Sequence, residues 1–150
     1  PADTDLNHCP IRDIRISDHG RWRQLHWNAL QSAYSETPFF EYYADDLRPF
    51  FDRRYEFLFD FNMEICETMC SLLDVQPKIR LTTEYVKHAD ISEDCMDFRD
   101  SIVPKHPRHD PSFTPRPYYQ VFGTRHGFLP NLSVLDLLFN MGPEGIFLLQ

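Results

Sequence analysis

The densest cluster of prolines in this chain limits the regular structure that its second half can form. Pro104, Pro107, Pro111, Pro115 and Pro117 fall within fourteen positions. Because proline lacks a backbone N–H and clashes with the preceding helical turn, this spacing forbids a regular helix and disfavours a central strand. We therefore expect residues 86–117 to form an irregular segment, and long segments of that kind in compact domains are usually functional or disordered.

The same segment is locally basic, although the whole chain carries a net charge of −8. Its basic residues are Lys105, His106, Arg108, His109 and Arg116. They are compatible with a lid that closes over an anionic ligand. They are equally compatible with a solvated loop, and the sequence leaves both interpretations open.

Helical periodicity precedes the proline cluster. From Trp22 onward, apolar residues recur every three or four positions, as on one face of a helix. The predicted face carries Trp22, Leu25, His26, Ala29, Leu30 and Ala33. Pro38 is expected to open a second, short helix, and Pro49 to break or kink it. The longest helix is expected over residues 53–74, and its wide apolar stripe predicts a central position.

Short strands are expected at three places. Residues 11–17 are rich in β-branched side chains and partly alternate, which is typical of an edge strand. Residues 79–83 and 118–122 are further candidates. The predicted fold class is therefore α+β, mainly helical with a few short strands, in a single domain over residues 1–150.

A buried helix is expected near the C-terminus. Ser133 and Asp136 form a start that resembles a capping box. Residues 134–139 are apolar on nearly all sides, which predicts burial. Gly142 is expected to end the helix, and Pro143 to open a final turn.

Composition excludes several classes of protein. The 42% hydrophobic and 15% aromatic content supports a packed core. The negative charge argues against a nucleic-acid-binding protein, which needs a cationic surface to displace counterions from phosphates. No signal peptide or membrane-spanning segment is recognised, and the four cysteines are interpreted as reduced thiols of a cytoplasmic protein.

Metal and cofactor signatures are not found in the sequence. Cys66 and Cys70 lie one helical turn apart, but a metal site needs three or four ligands. The chain has no glycine-rich phosphate loop, no Gly-x-Ser-x-Gly elbow and no His-Glu-x-x-His motif. We therefore expect no metal and no cofactor.

One candidate site lies where the first helix begins. Arg21 and Arg23 could hold a phosphate or carboxylate together with the free N–H groups of the first helical turn. The alternative is a solvated turn with a simple pair between Asp18 and an arginine. His26 has the residue type of a general base, although a histidine within an apolar stripe is more often a hydrogen-bonded core residue.

The richest group of polar residues surrounds the C-terminal helix. It contains Tyr119, Gln120, Arg125, His126, Asn131, Asp136 and Asn140. Tyr119 could stack on a sugar, Gln120 and Asn131 could bond its hydroxyls, and His126 could transfer a proton with Asp136 as its partner. Helix capping is the alternative explanation for Asn131 and Asp136, and a helix end for Asn140.

Long stretches of this chain resemble the WbqC-like family. The resemblance lies in residues 9–16 (CPIRDIRI), 21–27 (RWRQLHW), 33–43 (AYSETPFFEYY) and 118–150. It implies a role in bacterial surface polysaccharide, including O-antigen, and a glycyl transfer to an amino sugar has been suggested for the family. It also implies a further N-terminal segment with a Tyr-Leu-Pro-like motif, which would complete a sheet with the short strands.

Two functional hypotheses follow. The first is an enzyme that transfers an aminoacyl group, in its most specific form glycyl, to the amine of a nucleotide-linked sugar. In it His26 or His126 removes the proton, Arg21 and Arg23 bind phosphate, and Tyr119, Gln120 and Asn131 position the sugar. The second is a non-catalytic binding or assembly protein of the polysaccharide machinery. Its partner surface would be the aromatic block of residues 39–43.

Overall fold

The computed structural model describes residues 9–92, 94–99 and 113–149. The chain forms two compact units, Pro1–Gln76 with Arg116–Gln150 and, separately, Pro77–Pro115. The smaller unit contains the short 3-10 helix His88–Asp90. Four of the basic residues expected in a lid, at positions 105, 106, 108 and 109, lie outside the described residues.

The described residues of the larger unit form six α-helices. They are α1 (Trp22–Tyr34), α2 (Phe40–Leu47), α3 (Pro49–Asp52), α4 (Leu58–Leu72), α5 (Gly123–His126) and α6 (Val134–Met141). The 3-10 helices Ile11–Asp13 and Gly142–Leu148 flank them. Among the described residues, no helix has the length and apolar content needed to cross a membrane.

Prolines and glycines set several of these boundaries as expected. Leu47 is the last residue of α2, and Pro49 occupies the first turn of α3, where its missing N–H costs no hydrogen bond. Ser133 caps α6 by accepting a hydrogen bond from the Leu135 N–H at 3.3 Å. Gly142 ends α6 with a φ of 57°.

The expectation of short strands is wrong for the described residues. They contain no strand, and the closest approach to one is an isolated antiparallel bridge between Arg15 and Phe57. Residues 11–13 form a 3-10 helix, while the predicted strands at 79–83 and 118–122 are irregular. The predicted α+β class is therefore corrected to a mainly helical fold.

The same bridge explains why α4 is shorter than predicted. The Ile16 N–H donates to the Glu56 carbonyl at 2.9 Å, and the Leu58 N–H donates to the Ile14 carbonyl at 2.9 Å. These bonds hold Phe57 in an extended conformation, with φ −109° and ψ 138°. The helix expected from residue 53 therefore begins only at Leu58.

An aromatic cluster at the meeting of α1, α2, α3 and α6 forms the core. Its buried members are Trp27, Phe40, Tyr43, Leu47, Phe50, Leu73, Leu138 and Phe139. The ring of Phe139 lies 5.0 Å from that of Tyr34 and 5.2 Å from that of Phe40, between centroids. The predicted burial of α6 is confirmed, because Leu138 and Phe139 are both 0% exposed.

The buried face of α1 differs from the predicted one. Trp27 is 6% exposed, whereas Leu25 is 64% exposed and His26 is also exposed. The inward face runs through Trp27, Leu30 and Tyr34, at the same three-four spacing but rotated around the helix. His26 is therefore not a core residue.

The aromatic block of residues 39–43 is also mostly internal. Phe40 is 4% exposed and Tyr43 is 3% exposed, so both contribute to the core. Tyr42 is exposed, and its ring packs edge-on against Tyr43. The expectation that Phe40 and Tyr43 form a flat partner surface is wrong.

Two glycines with similar positive φ angles provide a matched test of the packing around α6. Gly142 and Gly127 both have a positive φ that favours glycine, at 57° and 73°. A Cβ at Gly142 would lie 2.7 Å from the Phe39 ring, whereas one at Gly127 would meet nothing within 4 Å. We expect Gly142→Ala to lower the free energy of unfolding by about 1–3 kcal/mol more than Gly127→Ala.

Urea denaturation of the two variants measures this difference. Equal losses of stability in both variants would show that backbone strain alone acts at Gly142 and that Phe39 moves aside.

Candidate functional site

A surface cleft of about 400 Å³ lies at the N-terminal end of α1 and is called here the N-terminal cleft. Its walls come from the start of α1 and from the segment around α3. They are formed by Gly20, Arg21, Trp22, Arg23, Gln24, Trp27, Asn28, Arg48, Phe51 and Asp52. Ligand sites in proteins commonly measure about 300–1,000 Å³, so the cleft has room for a small molecule.

The backbone of α1 contributes positive potential to this cleft. Arg21 precedes the helix and makes no side-chain hydrogen bond to cap it. The first bond of the helix runs from the Leu25 N–H to the Arg21 carbonyl at 2.9 Å. The N–H groups of Trp22, Arg23 and Gln24 therefore have no partner within the helix, and such groups attract anions.

Three arginines line the cleft, and two of them are held in place by neighbours. Arg23 forms an ion pair with Asp18 and lies over the Trp22 ring, 5.1 Å from its centroid. Arg48 Nε donates to both carboxylate oxygens of Asp52 at 2.9 Å and lies 4.9 Å over the Trp27 ring.

Positive charge exceeds negative charge among the side chains in and beside the cleft. The hydrogen bond from Arg23, more than any other neighbour, holds the pKa of Asp18 below its usual value, so that carboxylate stays ionised. Arg21 is exposed and forms no ion pair within the described part of the chain. Asp52 in the cleft wall and Asp18, which pairs with Arg23, offset two of the three guanidinium charges. The cleft is therefore cationic within an acidic protein.

One buried donor lies beneath the cleft without a partner. Trp27 is 6% exposed, and its Nε1 is buried but forms no hydrogen bond with any described residue. Buried polar groups are nearly always hydrogen-bonded, so an unpaired indole N–H next to a cleft requires an explanation.

A second polar group, called here the Asp136 cluster, lies at the other end of α1. It consists of Asp136 and Asn140 of α6 with Tyr118 and Gln120 of the preceding segment. The Tyr118 hydroxyl donates to Asp136 Oδ2 at 2.7 Å, and Gln120 Nε2 donates to the same oxygen at 3.1 Å. Asp136 and Asn140 are 6% and 3% exposed, so these bonds form away from solvent.

The two amides of this cluster fasten the irregular segment to α6. Asn140 Oδ1 accepts from the Val121 N–H at 2.9 Å, while its Nδ2 donates to the Asp136 carbonyl at 2.8 Å. Gln120 exchanges two bonds with the Leu129 backbone, each 2.9 Å long. Side-chain amides therefore replace the strand pairing that was expected over residues 118–122.

A cavity of about 60 Å³, the Asp136 cavity, adjoins this cluster. Its walls are formed by Ala33, Tyr34, Gln120, Val121, Phe122, His126, Gly127, Leu129, Leu132, Asp136 and Asn140. His126 and Asp136 therefore share a cavity, as a proton-transfer pair would require. No hydrogen bond joins these two described side chains, and the donors to Asp136 Oδ2 are instead Tyr118 and Gln120.

The candidate residues divide between two places. Arg21 and Arg23 line the N-terminal cleft, and the exposed His26 contacts its Trp22 wall edge-on at 5.4 Å between ring centroids. Gln120, His126 and Asp136 lie at the Asp136 cavity. Trp22 of the cleft and Tyr34 of the cavity are about 18 Å apart along α1, and the nearest lining residues of the two places, Asn28 and Ala33, are about 8 Å apart along it. They do not form the single site that the sequence suggested.

Three other candidates line neither place. Tyr119 is 56% exposed, and Arg125 is exposed on α5. Asn131 is exposed, and its φ of 57° shows a turn residue rather than a helix cap. Conversely, Arg48, Asp52 and Tyr34 were not among the residues predicted to form a site. Only the i,i+4 spacing of Arg48 and Asp52 could have indicated a pair.

We expect Tyr118→Phe to lower the free energy of unfolding by about 1–3 kcal/mol, because it removes the shorter bond to a buried carboxylate. Tyr119→Phe is the matched control, since its exposed side chain should change stability by no more than about 0.5 kcal/mol. Chemical denaturation at neutral pH measures both. Equal effects would show that the Tyr118–Asp136 bond adds nothing to stability.

The same tyrosine predicts a change of stability in alkali. Burial, followed by the hydrogen bond to Asp136, raises the pKa of Tyr118 from 10.0 to about 12. Between these values the unfolded chain releases a proton that the folded chain keeps, so stability falls as pH rises. We expect Tyr118→Phe to lose less stability over that interval than the wild type. Burial also raises the pKa of Tyr34, Tyr43 and Tyr55, so a reduced loss should remain.

Urea denaturation at about pH 9 and about pH 11 compares the two proteins on either side of the usual tyrosine pKa. Equal losses in wild type and variant would contradict the assignment to Tyr118.

Comparison with known proteins matches the part of the sequence that forms the cleft to a recognised family. The sequence model of the WbqC-like protein family matches residues 1–102, which include α1 to α4 and therefore the whole N-terminal cleft. The Asp136 cluster, like the rest of the C-terminal stretch on which the resemblance also rested, lies outside the matched residues.

A relative extends the comparison beyond the family match. It is described as "Uncharacterized protein Rv1507c" of Mycobacterium tuberculosis (strain ATCC 25618 / H37Rv). It is 26% identical over 160 residues, covering 91% of this chain and 68% of the relative. No solved structure matches. Because the family model matches more than half of the sequence, this chain belongs to the WbqC-like protein family.

Proposed function

We propose that this protein binds a phosphorylated small molecule in the N-terminal cleft, as an enzyme of bacterial surface-polysaccharide precursor synthesis. The observation that carries the proposal is the meeting of three guanidinium groups with the uncapped start of α1 around one cleft of about 400 Å³. Guanidinium groups and free helical N–H groups both favour phosphate, and here they converge on the same space.

The order within the cleft supports a ligand with a fixed position. Arg23 and Arg48 are each stacked on a tryptophan and paired with an aspartate. Their remaining N–H groups are free to bind an anion, and Arg21 adds a third charge. A nucleotide-linked amino sugar is the ligand that we favour. Its phosphates suit the arginines, and its sugar suits the role in surface polysaccharide that the family resemblance implies.

The proposed reaction is aminoacyl transfer from an activated aminoacyl donor. The amine of the sugar attacks the acyl carbonyl, the new carbon–nitrogen bond forms, and the bond to the donor's leaving group breaks. The amine proton passes to a base, and we assign that role to His26. His26 contacts the Trp22 wall of the cleft, whereas His126 lies at the opposite end of α1.

The alternative is binding without chemistry. The burial of Phe40 and Tyr43 weakens a partner role for the aromatic block, so this alternative also depends on the N-terminal cleft. The two functions therefore share a binding step and differ only in turnover.

Inorganic pyrophosphate is the first probe of the cleft, with affinity measured by isothermal titration calorimetry. We expect Arg21→Ala to weaken binding about tenfold, because it removes a charge-assisted bond from an exposed, partly screened site. Arg12→Ala is the control, since Arg12 is equally a surface arginine of this unit but does not line the cleft. Equal weakening by both variants would reduce the effect to net charge and contradict the site.

Turnover is tested separately. The protein is incubated with nucleotide-linked amino sugars and activated aminoacyl donors, and products are detected by mass spectrometry. An aminoacylated sugar that forms with wild type but not with folded His26→Ala supports the enzyme. Binding of the sugar without product, across the donors tried, supports the non-catalytic role.

A further inference from the structure

The carboxylate of Asp136 has one oxygen engaged and one available. Tyr118 and Gln120 both donate to Oδ2, and within the described residues no hydrogen bond of ordinary length reaches Oδ1. The side chain is 6% exposed and lines the Asp136 cavity. An ionised carboxylate can accept about four hydrogen bonds, so this one retains acceptor capacity next to an open space.

The amides around the cavity are already occupied. Asn140 and Gln120 each use their oxygen and their nitrogen to hold backbone groups or Asp136 itself. Burial, followed by the charge of Asp136 and a hydrogen bond to it, raises the pKa of Tyr34, so this hydroxyl is a further donor toward the carboxylate and not an acceptor for a ligand. The unused capacity of the cavity is therefore that of an acceptor, and it suits a ligand that donates.

The charge of Asp136 also lacks a cationic partner. No ion pair among the described residues includes Asp136. Its neutral donors and its place in the first turn of α6 stabilise the carboxylate in part. Buried charges in proteins are nevertheless usually paired, so a cation at Oδ1 would complete the arrangement.

The shape of the cavity limits the size of that cation. Asp136 and Asn140 form a buried floor, while His126, Leu129 and Leu132 are exposed at the rim. A volume of about 60 Å³ exceeds the roughly 10–15 Å³ that one water needs, but is far below that of a ligand cleft. A head group of a few heavy atoms fits, and a nucleotide does not.

We propose that the Asp136 cavity binds the primary ammonium group of a small amine, with the ammonium donating to Asp136 Oδ1. A primary ammonium supplies both the charge and the directed N–H donors, whereas a quaternary ammonium supplies charge alone. The site does not depend on the N-terminal cleft, which lies at the other end of α1.

The test is a titration of the full-length, nitrogen-15-labelled chain with methylammonium chloride, followed by NMR. We expect saturable shifts confined to the residues that line the cavity, at concentrations on the order of 100 mM or below. Potassium chloride at the same ionic strength and tetramethylammonium chloride are expected to leave these residues unchanged. The absence of saturable shifts with methylammonium, or the same shifts with potassium, would overturn the proposal.

Two variants separate the ligand contact from folding. Asp136→Asn keeps an oxygen for Tyr118 and Gln120 but places an amide where the ammonium would bind, and we expect affinity to fall at least about tenfold. Asp60→Asn, an exposed change of the same kind on α4, should bind like the wild type. Unchanged affinity in folded Asp136→Asn would overturn the proposal.

Ala33→Leu tests the site if Asp136→Asn does not fold. Ala33 lines the cavity from α1, and leucine fills that space without altering charge and with little loss of helix propensity. We expect this variant to lose methylammonium binding and to retain pyrophosphate binding at the N-terminal cleft. Retained methylammonium binding in this variant would place the amine elsewhere and overturn the proposal.

Discussion

The burial of Phe139 is the contact on which the larger unit depends. Its ring fits between Tyr34 of α1 and Phe40 of α2, and its carbonyl accepts a hydrogen bond from the Phe39 N–H at 3.0 Å. This joins a C-terminal helix to helices that lie about a hundred residues earlier in the chain. Asp136 and Asn140 lie on the same helix, so burying Phe139 also carries these polar groups away from water. Because buried polar groups without partners cost free energy, the helix can be buried only if these side chains keep their hydrogen bonds to residues 118–121.

The helix α1 connects this core to both candidate sites. Trp27 packs against Phe40 and Phe51 near the middle of the helix, which fixes its position. The free N–H groups at its start then face a cationic cleft, and Tyr34 at its end faces a carboxylate. The positive pole at the start of α1 faces the cleft, whereas the carboxylate of Asp136 beside its C-terminal end opposes the helix dipole.

Local signals in the sequence predicted local structure well. Pro49, Ser133 and Gly142 mark boundaries because each acts through its own backbone geometry. The all-round apolar pattern of residues 134–139 predicted burial because that signal also lies within one short segment. The strand expected over residues 11–17 failed because its partner is a single bridge at Phe57, which no local pattern reveals. The face of α1 was misplaced because two phases of the helix both carry apolar residues, and only the position of Phe40 and Phe51 selects Trp27.

Several residues that line the cleft and the Asp136 cavity were singled out by residue type, but their arrangement was not predicted. Arg21 and Arg23 were identified because they open a helix, whereas Arg48 enters the cleft only through folding. Ser133 was recognised as a cap, yet the Asp136 side chain bonds Tyr118, eighteen residues away, rather than the helix start.

The stacked and paired arginines of the N-terminal cleft have a thermodynamic consequence. A free arginine loses about 2 kcal/mol of rotamer entropy when a ligand immobilises it. Arg23 and Arg48 have already lost much of that freedom, because an indole ring and a carboxylate hold each guanidinium group. An arriving anion would therefore meet side chains that are already in their bound orientation. It would displace water or a carboxylate from the guanidinium groups with little further ordering of the side chains. Anion binding at such a preorganised surface is favoured by enthalpy and loses little side-chain entropy, because the arginines are already held in place.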